Sequence, residues 1–88
     1  MNILGHVEGS LRSFRPRNER EFVALRLARR FDDLARLPRY LIAAHKHPKQ
    51  VLLAAAETAR LRHELNRAPV SDLFFEVLAE REVEGGAQ

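Results

Sequence analysis

Histidine and serine are the first residue types to consider for catalysis or metal binding, because the chain has no cysteine to act as a nucleophile or a metal ligand. His45 and His47 lie two positions apart, on different sides of a helix, and no carboxylate accompanies them at the spacing of a zinc site. None of the serines Ser10, Ser13 and Ser71 stands in a nucleophile motif with a histidine or a carboxylate. The glycines match no phosphate-binding loop. We therefore predict that the protein is not an enzyme and holds no metal or cofactor.

Arginine is the residue that gives this chain its charge pattern. Residues 1–49 carry eleven basic and five acidic residues, a net charge of +6, whereas residues 50–88 carry four basic and seven acidic residues, a net charge of −3. Guanidinium groups suit phosphates and carboxylates alike. We predict that a nucleic-acid backbone is contacted by seven arginines, provided that they converge. These are Arg12, Arg15, Arg17, Arg20, Arg26, Arg29 and Arg30.

An aromatic residue lies among these arginines. Phe14 could stack on an unpaired base if the arginines bind a single strand. A core anchor is the alternative role for this side chain.

An acidic row near the C-terminus is the second candidate site. Asp72, Glu76, Glu80 and Glu84 recur at intervals of four, and like charges at that spacing repel each other by a few tenths of a kcal/mol on a helix. The row therefore predicts cations from elsewhere, which could be the arginines of the first helix or a partner protein. A solvated acidic face is the third possibility. We predict that this row and Phe75 together bind a partner.

Helices must position both candidate sites, since apolar residues recur at helical spacing and no strand pattern persists. Prolines and caps predict helices over about 18–37, 39–46, 48–66 and 71–84. Asn18 and Glu21 have the form of a capping box, and Pro38 is expected to end the first helix. Ser71 is the expected N-cap of the fourth helix.

The fold expected from these elements is an all-α small four-helix bundle. At 88 residues the chain is long enough for one domain. We predict a partly ordered basic arm over residues 1–17, a single helical domain over residues 18–84, and a disordered tail over residues 85–88.

The apolar faces of the last two helices carry their own expectations. The third helix is predicted to pack through a stripe, which is Val51, Ala54, Ala55, Leu61 and Leu65. On the fourth helix the large apolar residues from Leu73 to Leu78 cover an arc of about 200°, wider than the stripe of a surface helix. Either this helix is central to the bundle or Phe75 meets a second chain. Phe75 could also pack on Val70 as a hydrophobic staple.

The leading functional hypothesis is a non-enzymatic, nucleic-acid-associated protein, acting alone or as a small helical subunit of a nucleoprotein complex. Its rival is a protein-binding adaptor or inhibitor that uses the acidic and apolar surface of the fourth helix. A helix-turn-helix formed by the second and third helices is weaker, because only Lys49 and Gln50 offer polar side chains at its start. A homodimer is compatible with either hypothesis. Without a signal peptide or a membrane-spanning run, we expect a cytoplasmic protein with no membrane partner.

Overall fold

The structure is a computed structural model that describes residues 14–86, with side-chain surroundings for residues 14–83. Within residues 14–86 there are four α-helices and no strand: α1 (Glu19–Arg30), α2 (Leu37–Lys46), α3 (Lys49–Asn66) and α4 (Val70–Gly86). The predicted all-α class is confirmed, and the four helices are consistent with a small four-helix bundle. The chain divides into an N-terminal unit, Met1–His47, and a C-terminal unit, Pro48–Gln88. None of the helices among the described residues is long and apolar enough to span a bilayer.

Helix α1 begins where the sequence predicts. The side chain of Asn18 accepts a hydrogen bond from the backbone N–H of Glu21 at 3.0 Å, so Asn18 is the N-cap. The Glu21 carboxylate in turn accepts the backbone N–H of Arg17, also at 3.0 Å. In a standard capping box this second bond returns to the cap residue itself. Here it returns one residue earlier, which fixes the chain as it enters the helix.

The predicted end of the first helix at residue 37 is wrong, because α1 ends at Arg30. Asp32 has a left-handed backbone with φ of 51°, a conformation that aspartate tolerates better than most residues. The N–H groups of Asp32 and Asp33 then bond back to the carbonyls of Arg29 and Ala28, which is the pattern of a Schellman helix end. A short 3-10 helix, Leu34–Arg36, leads into α2.

Pro38 starts the second helix instead of ending the first. It lies in the first turn of α2, where the missing N–H of proline leaves no helical hydrogen bond unmade. Pro48 and Pro69 likewise precede helices, since α3 begins at Lys49 and the Pro69 carbonyl accepts the first helical N–H of α4, that of Leu73, at 3.2 Å. Three prolines therefore act at helix starts.

Helices α1 and α2 pack on each other through alanines, larger aliphatic side chains and Tyr40. The buried residues among residues 14–47 are Val23, Ala24, Leu25, Leu27, Ala28, Leu37, Tyr40, Ala43 and Ala44. The Tyr40 hydroxyl donates to the Asp33 carboxylate at 2.9 Å, and Arg36 lies 3.8 Å from the same carboxylate. The Arg20 guanidinium donates to the backbone carbonyl of His45 at 2.6 Å, which ties the start of α1 to the end of α2.

The C-terminal unit is the pair α3 and α4. Arg67 ends α3 in a left-handed conformation with φ of 63°, and its N–H bonds to the His63 carbonyl at 2.8 Å. The Nδ1–H of His63 donates to the Ala68 carbonyl at 2.6 Å and secures the turn. Ser71 is not the N-cap of α4, because the helix starts one residue earlier and Ser71 is buried in its first turn. Helix α4 also continues through Gly86, two residues beyond its predicted end.

The predicted packing stripe of α3 is largely wrong. Its buried residues are Leu52, Ala55, Ala56 and Ala59, spaced three and four apart. Leu61 and Leu65, which were expected inside, are 55% and 83% exposed. The alanines leave room for the large residues of α4, among which Leu73, Phe74, Val77 and Leu78 are buried. A stripe of small residues facing a stripe of large ones fills the space between the two helices.

Candidate nucleic-acid interface

Helix α1 presents three of the predicted arginines together. Arg26, Arg29 and Arg30 are all exposed, and their spacing of three and four places them on one side of the helix. The fully buried Ala24 and Ala28 take the opposite face of α1. Arg29 and Arg30 also stand in the last turn, where the helix dipole favours cations. The convergence predicted for these three side chains is therefore present.

None of the three guanidinium groups has an ion pair or a side-chain hydrogen bond with any of residues 14–47. Two of the acidic residues of that stretch are engaged elsewhere. Glu21 completes the start of α1, and Asp33 is held by Tyr40 and Arg36. Neither of these two carboxylates is therefore available to pair with Arg26, Arg29 or Arg30.

Arg15, Arg17 and Arg20, the other predicted arginines within the described residues, do not join this cluster. Arg15 and Arg17 are exposed but precede the N-cap, whereas Arg30 lies about 18 Å further along the helix axis. Arg20 is held by the His45 carbonyl and has a structural role between the helices. Arg12 lies outside the described residues. Of the seven predicted arginines, three share one helical face and two flank its other end.

Phe22 was missing from the predicted site. Its side chain is 52% exposed, four residues before Arg26 and seven before Arg29, so it shares their face. Phe14, the aromatic residue named from the sequence, is half-buried. The signal for Phe22 was already in the helical periodicity, because an aromatic residue at this position falls outside the Val23, Ala24 and Leu27 stripe.

The acidic row of α4 has a cation from the neighbouring helix. Arg62 of α3 makes a two-pronged contact with Glu80, with N–O distances of 2.7 and 3.2 Å, and lies 4.0 Å from Glu76. The hydrogen bond from Arg62 lowers the pKa of Glu80, and the bond to Glu80 correspondingly raises the pKa of Arg62. From the sequence, the expected source of cations was either the arginines of the first helix or a partner protein, and Arg62 was not among the candidates. The side chain of Glu84 lies outside the described residues.

The apolar arc of α4 is mostly used inside the molecule. Phe75, the predicted partner contact, is half-buried, and its ring meets that of Phe74 edge-on at 5.3 Å. Asp72 and Val83 are exposed on other positions of the helix, Val83 by 74%. The predicted partner surface therefore consists of separate exposed groups, and Phe75 contributes only a partly exposed ring to it.

Histidines and carboxylates do not gather into a metal-binding group anywhere in the described part of the chain. His63 is committed to the turn after α3, and His45 is exposed at the end of α2. The face of α1 offers positive charge and the exposed ring of Phe22, which are groups suited to binding a ligand.

Comparison with known proteins does not add to this picture. No protein-family model, no curated protein and no solved structure matches the chain. A function is therefore inferred from the residues themselves.

Proposed function

We propose that this protein is a non-enzymatic, cytoplasmic, nucleic-acid-associated protein that contacts backbone phosphates through α1. Arg26, Arg29 and Arg30 are the central contacts, and Arg15 and Arg17 extend them at the other end of the helix. One observation carries the proposal. Three exposed guanidinium groups share one helical face and have no acidic partner among residues 14–47. The protein could bind alone or as a helical subunit of a nucleoprotein complex.

The chemistry of arginine favours phosphate as the ligand of this face. A guanidinium group donates two parallel hydrogen bonds to an oxyanion and stays charged at every physiological pH. Each phosphate that is neutralised also releases condensed counterions, so several arginines acting together give strong binding at low salt. The net charge of residues 1–49 attracts a polyanion from a distance.

A protein-binding adaptor or inhibitor that uses the C-terminal unit is the second candidate. Leu65 and Val83 favour it, since both are largely exposed apolar side chains. The acidic row favours it less than the sequence suggested, because Arg62 already partners Glu80 and Glu76. This candidate and the first are compatible, as they use different helices.

Fluorescence anisotropy with labelled single- and double-stranded oligonucleotides at about 50 mM salt tests the proposal. We expect binding by the wild-type protein, and a loss of about tenfold or more in affinity for Arg26→Gln/Arg29→Gln/Arg30→Gln. Glutamine removes the charge and keeps nearly the same helix propensity, so the fold should persist in circular dichroism.

The matched control removes three arginines from the C-terminal unit. Arg60, Arg67 and Arg81 are exposed, and their replacement by glutamine changes the net charge by the same amount. The control should bind within about twofold of wild type if the contacts are local. Absence of wild-type binding at this salt concentration, or an equal loss in both triple variants, would overturn the proposal.

A further inference from the structure

We infer that the nucleic acid bound by α1 is single-stranded and that Phe22 stacks on one of its unpaired bases. The inference rests on the proposed function, because it uses the same helical face. It adds the class of ligand and a residue that reads the base plane instead of the phosphate.

The placement of Phe22 within the arginine face is the basis of the inference. Along the helix axis, Arg26 follows Phe22 by about 6 Å and Arg29 follows it by about 10 Å, both on the same stripe. The only acidic residue of α1 near this stripe is Glu19, which lies one turn before Phe22 and about 10 Å along the axis from Arg26. The exposed ring of Phe22 thus has the cations Arg26 and Arg29 next to it on the C-terminal side.

This face cannot approach a polyanion without bringing Phe22 along. The ring is 52% exposed, and phosphates that dock on Arg26 and Arg29 would cover it. Covering an aromatic ring is favourable when an apolar or π surface meets it. A nucleobase supplies such a surface, and every base has one, so the contact does not depend on sequence.

A duplex does not offer this partner. Its bases are stacked on each other, and an α-helix lying along its backbone would place Phe22 against sugars and phosphates. A single strand exposes its bases and can turn one onto the ring while adjacent phosphates reach the arginines. The combination of cations and one exposed aromatic residue on a single helical face therefore favours the single strand.

A double-mutant cycle tests the inference with Phe22→Ala and with abasic DNA. The probes are a single-stranded oligonucleotide, the same strand with its central bases removed, and the matching duplex; an RNA strand of the same sequence shows which sugar is preferred. On the intact strand we expect Phe22→Ala to weaken binding by about 5- to 150-fold, the range for loss of one base stack. On the abasic strand and the duplex, the variant and the wild type should bind alike.

Three further variants separate stacking from other contacts. Phe22→Tyr keeps an aromatic ring and should bind as wild type does. Phe22→Leu keeps apolar surface but no ring, so it should behave as Phe22→Ala does. Ile42→Ala is the matched control, because Ile42 is an apolar side chain of α2 that is 57% exposed, and it should change nothing.

Phe22→Trp adds a direct readout, since the chain has no other tryptophan. Its fluorescence should be quenched by the intact single strand and unaffected by the abasic strand.

The outcomes distinguish this inference from the proposed function. Equal weakening on intact and abasic strands, or no effect of Phe22→Ala while the arginine variant still loses binding, refutes stacking and leaves the phosphate contacts in place. If an acidic protein binds through Phe22 while no strand binds at about 50 mM salt, both are refuted and the face is assigned to a protein partner. Selective loss on the intact strand supports both.

Discussion

Arg62 neutralises part of the acidic row of α4. At the level of single residues, its two-pronged bond to Glu80 converts part of an isolated acidic row into an internal ion pair. Both partners lie at the surface, where water screens their attraction and added salt weakens it further. The pair therefore orients α3 and α4 more than it stabilises them. It also removes the need for an external cation at Glu80.

The pKa of Glu80 tests this pair. Because Arg62 lowers the folded-state pKa of Glu80 below the ordinary value of 4.5, the pair contributes stability above that pH. The contribution is lost as pH falls through the lowered pKa. In Arg62→Gln we expect the pKa of Glu80 to move back up, as followed by carboxyl NMR, and urea denaturation should show less acid destabilisation than in wild type.

Arg60→Gln is the control for this titration. Arg60 is exposed on the same helix and has no part in lowering the pKa of Glu80. The variant should leave the titration of Glu80 unchanged. Identical Glu80 titrations in wild type and Arg62→Gln would contradict the role given to Arg62.

Helix α1 is the element that carries the proposed function, and its start is fixed by a local signal. The Asn18 side chain accepts the Glu21 N–H, and Glu21 returns to Arg17. These bonds hold the first turn of the helix that presents Phe22 and the arginines. The cap therefore supports the binding face as well as the fold.

Removal of this cap should destabilise the helix. We expect Asn18→Ala to cost about 1 kcal/mol in the free energy of unfolding, measured by urea denaturation, whereas Asn18→Ser should cost much less. Asn66→Ala serves as the control, since Asn66 lies at the end of α3 and caps no helix start. Equal stability of Asn18→Ala and wild type would show that the cap bond is not formed in solution.

Sequence patterns predicted which segments are helical better than they predicted where the helices end and which of their faces are buried. The start of α1 followed from the capping signal of Asn18 and Glu21 and is confirmed, and the predicted end of α3 at Asn66 is also confirmed. The end of α1 did not, because a left-handed Asp32 is not distinguishable in sequence from an aspartate inside a helix. Leu61 and Leu65 were expected inside on hydrophobicity alone, but the packing face of α3 was decided by its alanines, against the large residues of α4.

The candidate site was predictable to a similar extent. Helical spacing alone places Arg26, Arg29 and Arg30 on one face. The pairing of Arg62 with Glu80 depends on how α3 and α4 pack in register, and no local pattern specifies that. The role of Arg20 at the His45 carbonyl likewise depends on the packing of two helices. Contacts between elements were the part that the sequence could not supply.

For the whole molecule, the two units differ in charge. The N-terminal unit, Met1–His47, has ten basic and five acidic residues, whereas the C-terminal unit, Pro48–Gln88, has five basic and seven acidic residues. The acidic surplus would repel a polyanion, and the basic surplus would attract it. Nucleic acid is therefore expected to bind the N-terminal unit. The salt dependence of binding should then be set by α1 and the arginines that flank it.

The slope of the logarithm of the association constant against the logarithm of salt concentration tests the central claim most directly. Each phosphate contact on a single strand adds about 0.7 to the magnitude of this slope. Relative to wild type, Arg26→Gln/Arg29→Gln/Arg30→Gln should lose about 2 from it on a single-stranded oligonucleotide, while Arg60→Gln/Arg67→Gln/Arg81→Gln should keep the wild-type slope. An unchanged slope in the α1 variant would contradict the claim that these three arginines contact phosphates.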